Sequence, residues 1–283
     1  MLTDILIISS TPDINDQGFI VPVFTGSVQE LGRQATSCGF DGLEFMPNPE
    51  DIPDADKTRR VLANEGSKVS VVNSGRVQAQ GYALLHRDAE LRRRSIEIFK
   101  DLIEFAGQLE ARVGLGMARG FGDATLQGSD LKSAMYDIFG DLALHAESHG
   151  TVVMLEPADA GIVAAIGSMT EAADMARSLS SPGFSVMLDS LELWDVEASI
   201  TEGVEAAQGL ADHIQLYDPG HLPPGILAES ERLDWDELAS VLTATGFVGT
   251  GSVLPHPDGN IDAIAKISAD FLRRTLTQPR KEA

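Results

Sequence analysis

Two acids stand at the ends of apolar runs: Glu156 in TVVMLEPAD (151–159) and Asp189 in FSVMLDSLE (184–192). A carboxylate in such a place is costly to bury unless a cation or a fixed donor meets it. Hard divalent ions such as Mg²⁺ or Mn²⁺ take oxygen ligands of this kind. Two structural alternatives stand beside that chemistry: each acid could pair with Arg119, or cap the helix that follows. Other polar residues close or follow further apolar runs. They are Glu44, Asn73 with Arg76, Arg119, Glu192, Gln215 with Asp218 and His221, and His256. Arg76 and Arg119 are the cations among them. An anionic substrate would bind there, the alternative being salt bridges to Glu44 or Glu156.

The elements that must position these residues alternate regularly. Short Val-, Ile- and Leu-rich runs at 5–10, 42–47, 68–73, 111–117, 151–157, 184–189, 213–218 and 250–254 read as parallel strands covered by helices. Helical periodicity fills the intervals at 28–38, 54–65, 88–109, 130–148, 169–179, 199–208, 234–245 and 260–275. In the longest, Leu91, Ile98, Leu102, Phe105 and Leu109 form one apolar stripe. Ser27 and Ser129 are placed to cap helix starts, and Gly39, Gly150 and Gly246 to end helices. Eight strand–helix units in strict order predict an α/β fold, a single-domain (β/α)8 TIM barrel over 1–276 with a tail at 277–283. In that fold the polar residues named above converge at the C-terminal ends of the strands, where active sites are built. The runner-up, an open doubly wound dinucleotide-binding sheet, would not require eight regular units. GLGMARG (114–120) lies within and after a strand rather than opening a helix, as phosphate binding requires.

Composition narrows the function. The chain has 283 residues, 43% hydrophobic and 23% charged, with a formal net charge of −22. That balance excludes a nucleic-acid surface, which needs clustered Lys and Arg. The single cysteine, Cys38, permits no intrachain disulfide and reads as a core residue on a helix. MLTDILIISS lacks the basic start and apolar run of a signal peptide, and no segment approaches the ~20 apolar residues of a membrane span. A cytoplasmic protein is expected. None of the six lysines ends a strand, which argues against a Schiff-base enzyme. His145 and His149 in HAESH have the spacing of two ligands on one helix face. With no third ligand identifiable, they read as histidines favourable to a helix C-terminus.

Several stretches together resemble the xylose isomerase-like barrels, a group of sugar isomerases, epimerases and keto-inositol dehydratases. The closest resemblance is to hydroxypyruvate isomerase-like proteins. GFDGLEF (39–45), LEPAD (155–159), LDSLELW (188–194), HIQLYDPGHLPPG (213–225) and GFVGTGSVLPHP (246–257) carry it, in order along nearly the whole chain. The resemblance implies one divalent cation, Mg²⁺ or Mn²⁺, held by Glu156, Asp189 and Gln215. It implies a small sugar or hydroxy-keto acid whose proton is moved next to a carbonyl, with Glu156 as base. Glu44, Arg76, Arg119, Asp218 and His221 would contact substrate. Relatives often pair, so a homodimer is expected. The related DNA-repair endonucleases hold three metals through many histidines, which this chain lacks.

Three positions depart from the family. The fourth ligand and second acid/base aligns with Leu254, which can do neither task. Losing such a group typically forfeits ~10²–10⁴ in rate. A family histidine that contacts substrate is Glu192, and an arginine that grips it is His221. Either the site is repurposed, with Glu192 restoring a carboxylate and His221 or His256 titrating in place of a glutamate, or it has decayed into an inactive sugar- or acid-binding barrel. A keto-polyol dehydratase or lyase of the same fold is the other enzymatic alternative.

Overall fold

In the computed structural model, which describes residues 3–12, 24–120, 122–158, 165–254 and 259–277, strands and helices alternate. The order is β1 (Thr3–Pro12), β2 (Phe24–Gly26), α1 (Val28–Ser37), β3 (Gly42–Phe45), α2 (Ala55–Asn64), β4 (Val69–Asn73), α3 (Gly75–Ala79) and α4 (Ala89–Gln108). There follow β5 (Arg112–Leu115), α5 (Gly128–Ser148), β6 (Val153–Leu155), α6 (Met169–Leu179), β7 (Phe184–Asp189), α7 (Ser190–Asp195) and α8 (Ile200–Ala206). The chain ends with β8 (Ala211–Gln215), α9 (Trp235–Ala244), β9 (Gly249–Val253) and α10 (Ile261–Leu272).

The strands pair in parallel in the order β2-β1-β3-β4-β5-β6-β7-β8-β9. β9 pairs back onto β1 through Ile7↔Ser252 and Ile8↔Val253, closing the barrel. β2 lies outside that ring, beside the top of β1 at Ser10↔Phe24. Eight strands and their helices thus form a (β/α)8 TIM barrel.

Successive strand residues face opposite sides, and the core divides accordingly. Leu6, Ile8, Leu43, Val113, Val153 and Val186 join the apolar helix faces in one outer shell. Ile7, Val71, Met154 and Met187 form a separate cluster inside the barrel. Burial of each is worth roughly 1.5–3 kcal/mol. Two residues further along the same four runs, and so on the same inner face, come Ser9, Asn73, Glu156 and Asp189. The apolar inner layer is therefore the floor of the polar mouth.

Local chemistry fixes the helices. Ser27 caps α1 in a reciprocal box with Glu30. Asp88 caps α4 through the amides of Glu90 and Leu91, and the buried face of α4 begins only at Ser95, which leaves Leu91 at the surface. Gly39, Gly150 and Gly246 all adopt positive φ just past helix ends. Ser129 is not a cap: α5 starts earlier, at Gly128, behind Gln127. The periodicity did not reveal β2, α3 or α7, which are too short to show a period. Cys38 is buried in the outer shell. Among the described residues, no helix is long and apolar enough to cross a membrane.

Candidate active site

Glu44 lies at the centre of the mouth, fully buried on β3. Its Oε2 accepts from Ser9 Oγ at 3.1 Å, and its Oε1 accepts from Asn73 Nδ2 and, at 2.9 Å, from Gln215 Nε2. Three donors from β1, β4 and β8 thus hold one carboxylate across the barrel. Gln215 Oε1 in turn accepts from the Tyr217 hydroxyl at 3.0 Å. Tyr217 is anchored by Ser190, whose Oγ donates to the Tyr217 carbonyl at 3.0 Å and accepts from its amide at 2.7 Å. Beneath Gln215 on β8, buried His213 places Nε2 3.2 Å from Ser252 Oγ. Burial pushes its pKa down, against the pull of Glu44.

Glu156 follows β6, its amide bonded to the Leu115 carbonyl at 3.0 Å. Its carboxylate lies against the backbone of Gly116, where an added Cβ would stand 2.4 Å from Oε2. Burial first, and then the charge of Asp189, raise its carboxyl well above the usual range, while Arg119 opposes them. Asp189 ends β7 and caps α7, its Oδ1 accepting from the amides of Leu191 at 2.7 Å and Glu192 at 3.2 Å. Burial raises its carboxyl to about 7 despite those two amides, with Glu192 and Glu44 adding to the rise. Burial likewise raises the Tyr217 phenol, helped by Asp189, Glu44 and Glu156. Four acids, Glu44, Glu156, Asp189 and Glu192, therefore share one low-dielectric mouth.

The structure places the other sequence candidates differently. Arg119 is fully buried, and its guanidinium donates to carbonyls: Gly116 at 3.0 Å, Glu156 at 2.6 Å, Ala165 at 3.3 Å and Ile166 at 3.1 Å. It grips the backbone of Glu156 rather than its carboxylate. Ala165 and Ile166 both sit at positive φ, 58° and 62°, a conformation the arginine's bonds stabilise. Burial lowers its pKa to about 10, while Glu156 and Glu192 work the other way. This arginine shapes the loop after β6; substrate contact is not where its donors point. Arg76, also buried, bonds Thr11 Oγ1 at 3.1 Å and the Pro12 carbonyl at 3.2 Å, holding the end of β1. Asp218 organises the loop after β8, accepting from Gly225 N at 3.2 Å, Leu233 N at 3.0 Å and Trp235 Nε1 at 2.8 Å. His221, exposed and at φ 57°, sets its ring 5.7 Å from that of Tyr217. Leu254 packs with Leu191 and Tyr217 in a small apolar corner of the mouth. His256 lies outside the described residues.

Sequence reasoning missed Ser9, Gly116, Ser190, His213 and Tyr217. The two-residue period could have found Ser9 and His213, which share strand faces with Ile7 and Gln215. Nothing local marks Tyr217 or Ser190, whose roles arise from contact between neighbouring loops. Away from the mouth, the structure supplies a third group beside His145 and His149: Glu104 Oε1 stands 3.3 Å from His145 Nε2.

A family model described as a xylose isomerase-like TIM barrel matches residues 33–275. A comparison with curated proteins finds no match. Among solved structures, the apo form of 3-keto-D-glucoside 4-epimerase, YcjR, from E. coli aligns with a TM-score of 0.77 at 16% identity, over 95% of this chain and 99% of that one. D-psicose 3-epimerase from Clostridium cellulolyticum H10, solved with D-tagatose, gives 0.76 at 16%, over 95% and 99%. IOLI protein, solved with a binding zinc atom, gives 0.69 at 16%, over 96% and 98%. At these identities the likeness is one of fold. The family match spans most of the sequence, and the chain belongs to the xylose isomerase-like TIM barrel family.

Proposed function

We propose that this chain isomerises or epimerises a small sugar or hydroxy-keto acid by moving a proton next to a carbonyl, assisted by Mg²⁺ or Mn²⁺. The observation that carries the reading is the pair of acids at the ends of adjacent strands, part-buried Glu156 and buried Asp189, with both carboxyls raised. The donor set suits a hard divalent ion. Glu156 and Asp189 offer carboxylate oxygens, and Gln215 Oε1 keeps a lone pair beyond the one that meets Tyr217. The nearest guanidinium, Arg119, spends its donors on carbonyls. Glu156, Asp189 and Gln215 would hold the ion, which when bound would polarise the substrate oxygens.

The chain's own residues do the rest. Glu156 takes the proton next to the carbonyl as the general base. Gly116 leaves its carboxylate room. Glu192, whose charge reaches Glu156, Asp189 and Arg119, is the second acid available to return the proton. Glu44 fixes Gln215, and His221 borders the entrance beside Tyr217. Inverting one carbon needs proton carriers on opposite faces, whereas shifting a carbonyl to the next carbon needs one carrier on one face. Leu254, which aligns with the second glutamate that the family resemblance implies, lies in an apolar corner and leaves that second role to Glu192, so epimerisation would depend on Glu192 and isomerisation would not.

That same corner favours a second reading, a barrel that binds a sugar or acid without turning it over. A keto-polyol dehydratase would use the same base beside a carbonyl. A panel of ketoses and hydroxy-keto acids, followed by NMR in D₂O with Mn²⁺ or EDTA, tests these. Isomerisation or exchange that needs the ion and is lost in E156Q supports the proposal. Turnover undiminished in E156Q refutes Glu156 as base, and ligand-raised melting temperatures without turnover establish the binding reading.

A further inference from the structure

Where α5 runs down to the start of β6, at the end of the barrel away from the mouth, α4 and α5 carry a cluster that the proposed reaction does not use. His145, in the last turn of α5, and His149, its C-cap, have ring centroids 4.4 Å apart. Glu104 of α4 places Oε1 3.3 Å from His145 Nε2 and 4.0 Å from His149 Nε2. One ligand atom from each of the three lies within 4.8 Å of the others.

Two further observations make this more than a surface ion pair. His149 Nδ1 lies 2.9 Å from the His145 carbonyl. Ser148 Oγ, 3.1 Å from Nδ1, already donates to that carbonyl at 2.7 Å, and a carbonyl can only accept; Nδ1 is thus placed to donate, and in the neutral ring Nε2 is the ligand nitrogen on the Glu104 side. A second hydrogen bond of this kind, fixing which ring nitrogen faces the cluster, is what metal-bound histidines ordinarily possess. One turn earlier, Lys100 and Asp141 bridge the same two helices at 2.7 Å. Because Glu104 and His145 each follow four residues later, that bridge holds the cluster's two sides in register. Asp101 adds negative field: burial raises its carboxyl, Glu104 adds to the rise and His145 opposes it.

We infer that Glu104, His145 and His149 form a site for a borderline transition-metal ion of the Zn²⁺ class, clamping α4 to α5. Two imidazole nitrogens and one carboxylate oxygen, with room for water, match what Zn²⁺ takes. The ligands proposed at the mouth, Glu156, Asp189 and Gln215, are oxygen donors and suit Mg²⁺ or Mn²⁺. The two sites therefore separate by ion, and this inference stands independently of the proposed reaction.

The test is zinc titration of the full chain, stripped with EDTA and then held in excess Mg²⁺, read by calorimetry and by thermal shift. Wild type and E156Q are expected to bind one zinc with the same affinity and to melt higher. Groups that merely orient a metal's ligands are worth about 10–100-fold in affinity, so H149A and H145A should each weaken zinc binding at least tenfold. Both should keep the wild-type response to Mn²⁺. His149 is partly exposed, so H149A should fold normally, and its zinc-free melting temperature verifies this. Unchanged zinc affinity in the H145A/H149A double variant overturns the inference, as does zinc uptake that E156Q abolishes. If the inference holds, zinc found in the purified protein says nothing about the mouth until the double variant has been assayed.

Discussion

Replacing Asp189 by Asn removes a charge from the mouth while leaving its hydrogen bonds in place. The Asn Oδ1 can still accept from the amides of Leu191 and Glu192, so the cap of α7 survives. What changes is titration. The carboxyl of Asp189 is raised from 3.8 to about 7, chiefly by burial. A folded value above the unfolded one means that the folded chain binds the extra proton between those limits. Its contribution to stability is complete below 3.8 and is lost as pH rises through about 7. The interval from 3.8 to about 7, at about 1.4 kcal/mol per pH unit, amounts to about 4 kcal/mol. Of this, about 3 kcal/mol falls between pH 5 and 8. Urea unfolding followed by circular dichroism, in EDTA at pH 5, 6, 7 and 8, reads it directly. Wild type should lose up to about 3 kcal/mol more than D189N across that range. The comparison cancels the repulsion of a chain with net charge −22, which acts on both proteins. Adding Mn²⁺ should flatten the wild-type slope, because a bound cation reverses the reason the acid is raised. Parallel stability curves for wild type and D189N in EDTA would refute the electrostatics argued for this site.

Three further substitutions probe the mouth from other sides. In G116A the new methyl meets the Glu156 carboxylate, so turnover should fall by up to about a hundredfold, the scale for misplacing a reacting group by 1 Å. The circular dichroism spectrum should persist, and wild-type kcat in G116A would contradict the close approach. L254E puts a carboxylate into the corner formed with Leu191 and Tyr217. It should tighten Mn²⁺ binding by calorimetry and lower the melting temperature in EDTA at pH 8, and unchanged Mn²⁺ affinity would show that this corner does not face the ion. D218A strips an acceptor from Gly225, Leu233 and the Trp235 indole. It should cost about 2–5 kcal/mol in urea unfolding and shift tryptophan fluorescence, since a buried indole N–H is left unsatisfied.

The barrel was legible because each strand carries its own evidence. An apolar run such as VVML, short, β-branched and bounded by Gly150 and Pro157, reads as a covered strand, and its neighbour is a helix with a stripe and a cap. The polar layer was legible for a related reason: Glu156 and Asp189 continue the inward phase of Met154 and Met187, so type and position coincide. What sequence could not show is which partner each polar residue chooses. Arg119 reads equally well as a substrate cation or as a salt bridge to Glu156. The choice of four carbonyls instead depends on Ala165 and Ile166 turning to positive φ, a decision made by a loop far along the chain. Asp218 likewise reads as a mouth acid until Trp235, seventeen residues on, brings its indole to it.

Leu254 sharpens the same point. The family resemblance implies a carboxylate where this chain has Leu254, and local reading stops there. The structure shows that the mouth is not short of acid. Glu44 reaches from β3 across Ser9 to Gln215, and its charge is felt by Asp189, Glu156 and Tyr217. On β1, Ser9 donates to this carboxylate. The anionic character that attracts a cation therefore persists, while one corner of the cavity has become apolar. If the proposed reaction holds, such a mouth has the acids that proton abstraction needs on one side and an apolar corner on the other. That asymmetry, more than the loss of one acid, is what should distinguish its chemistry from that of a two-glutamate barrel.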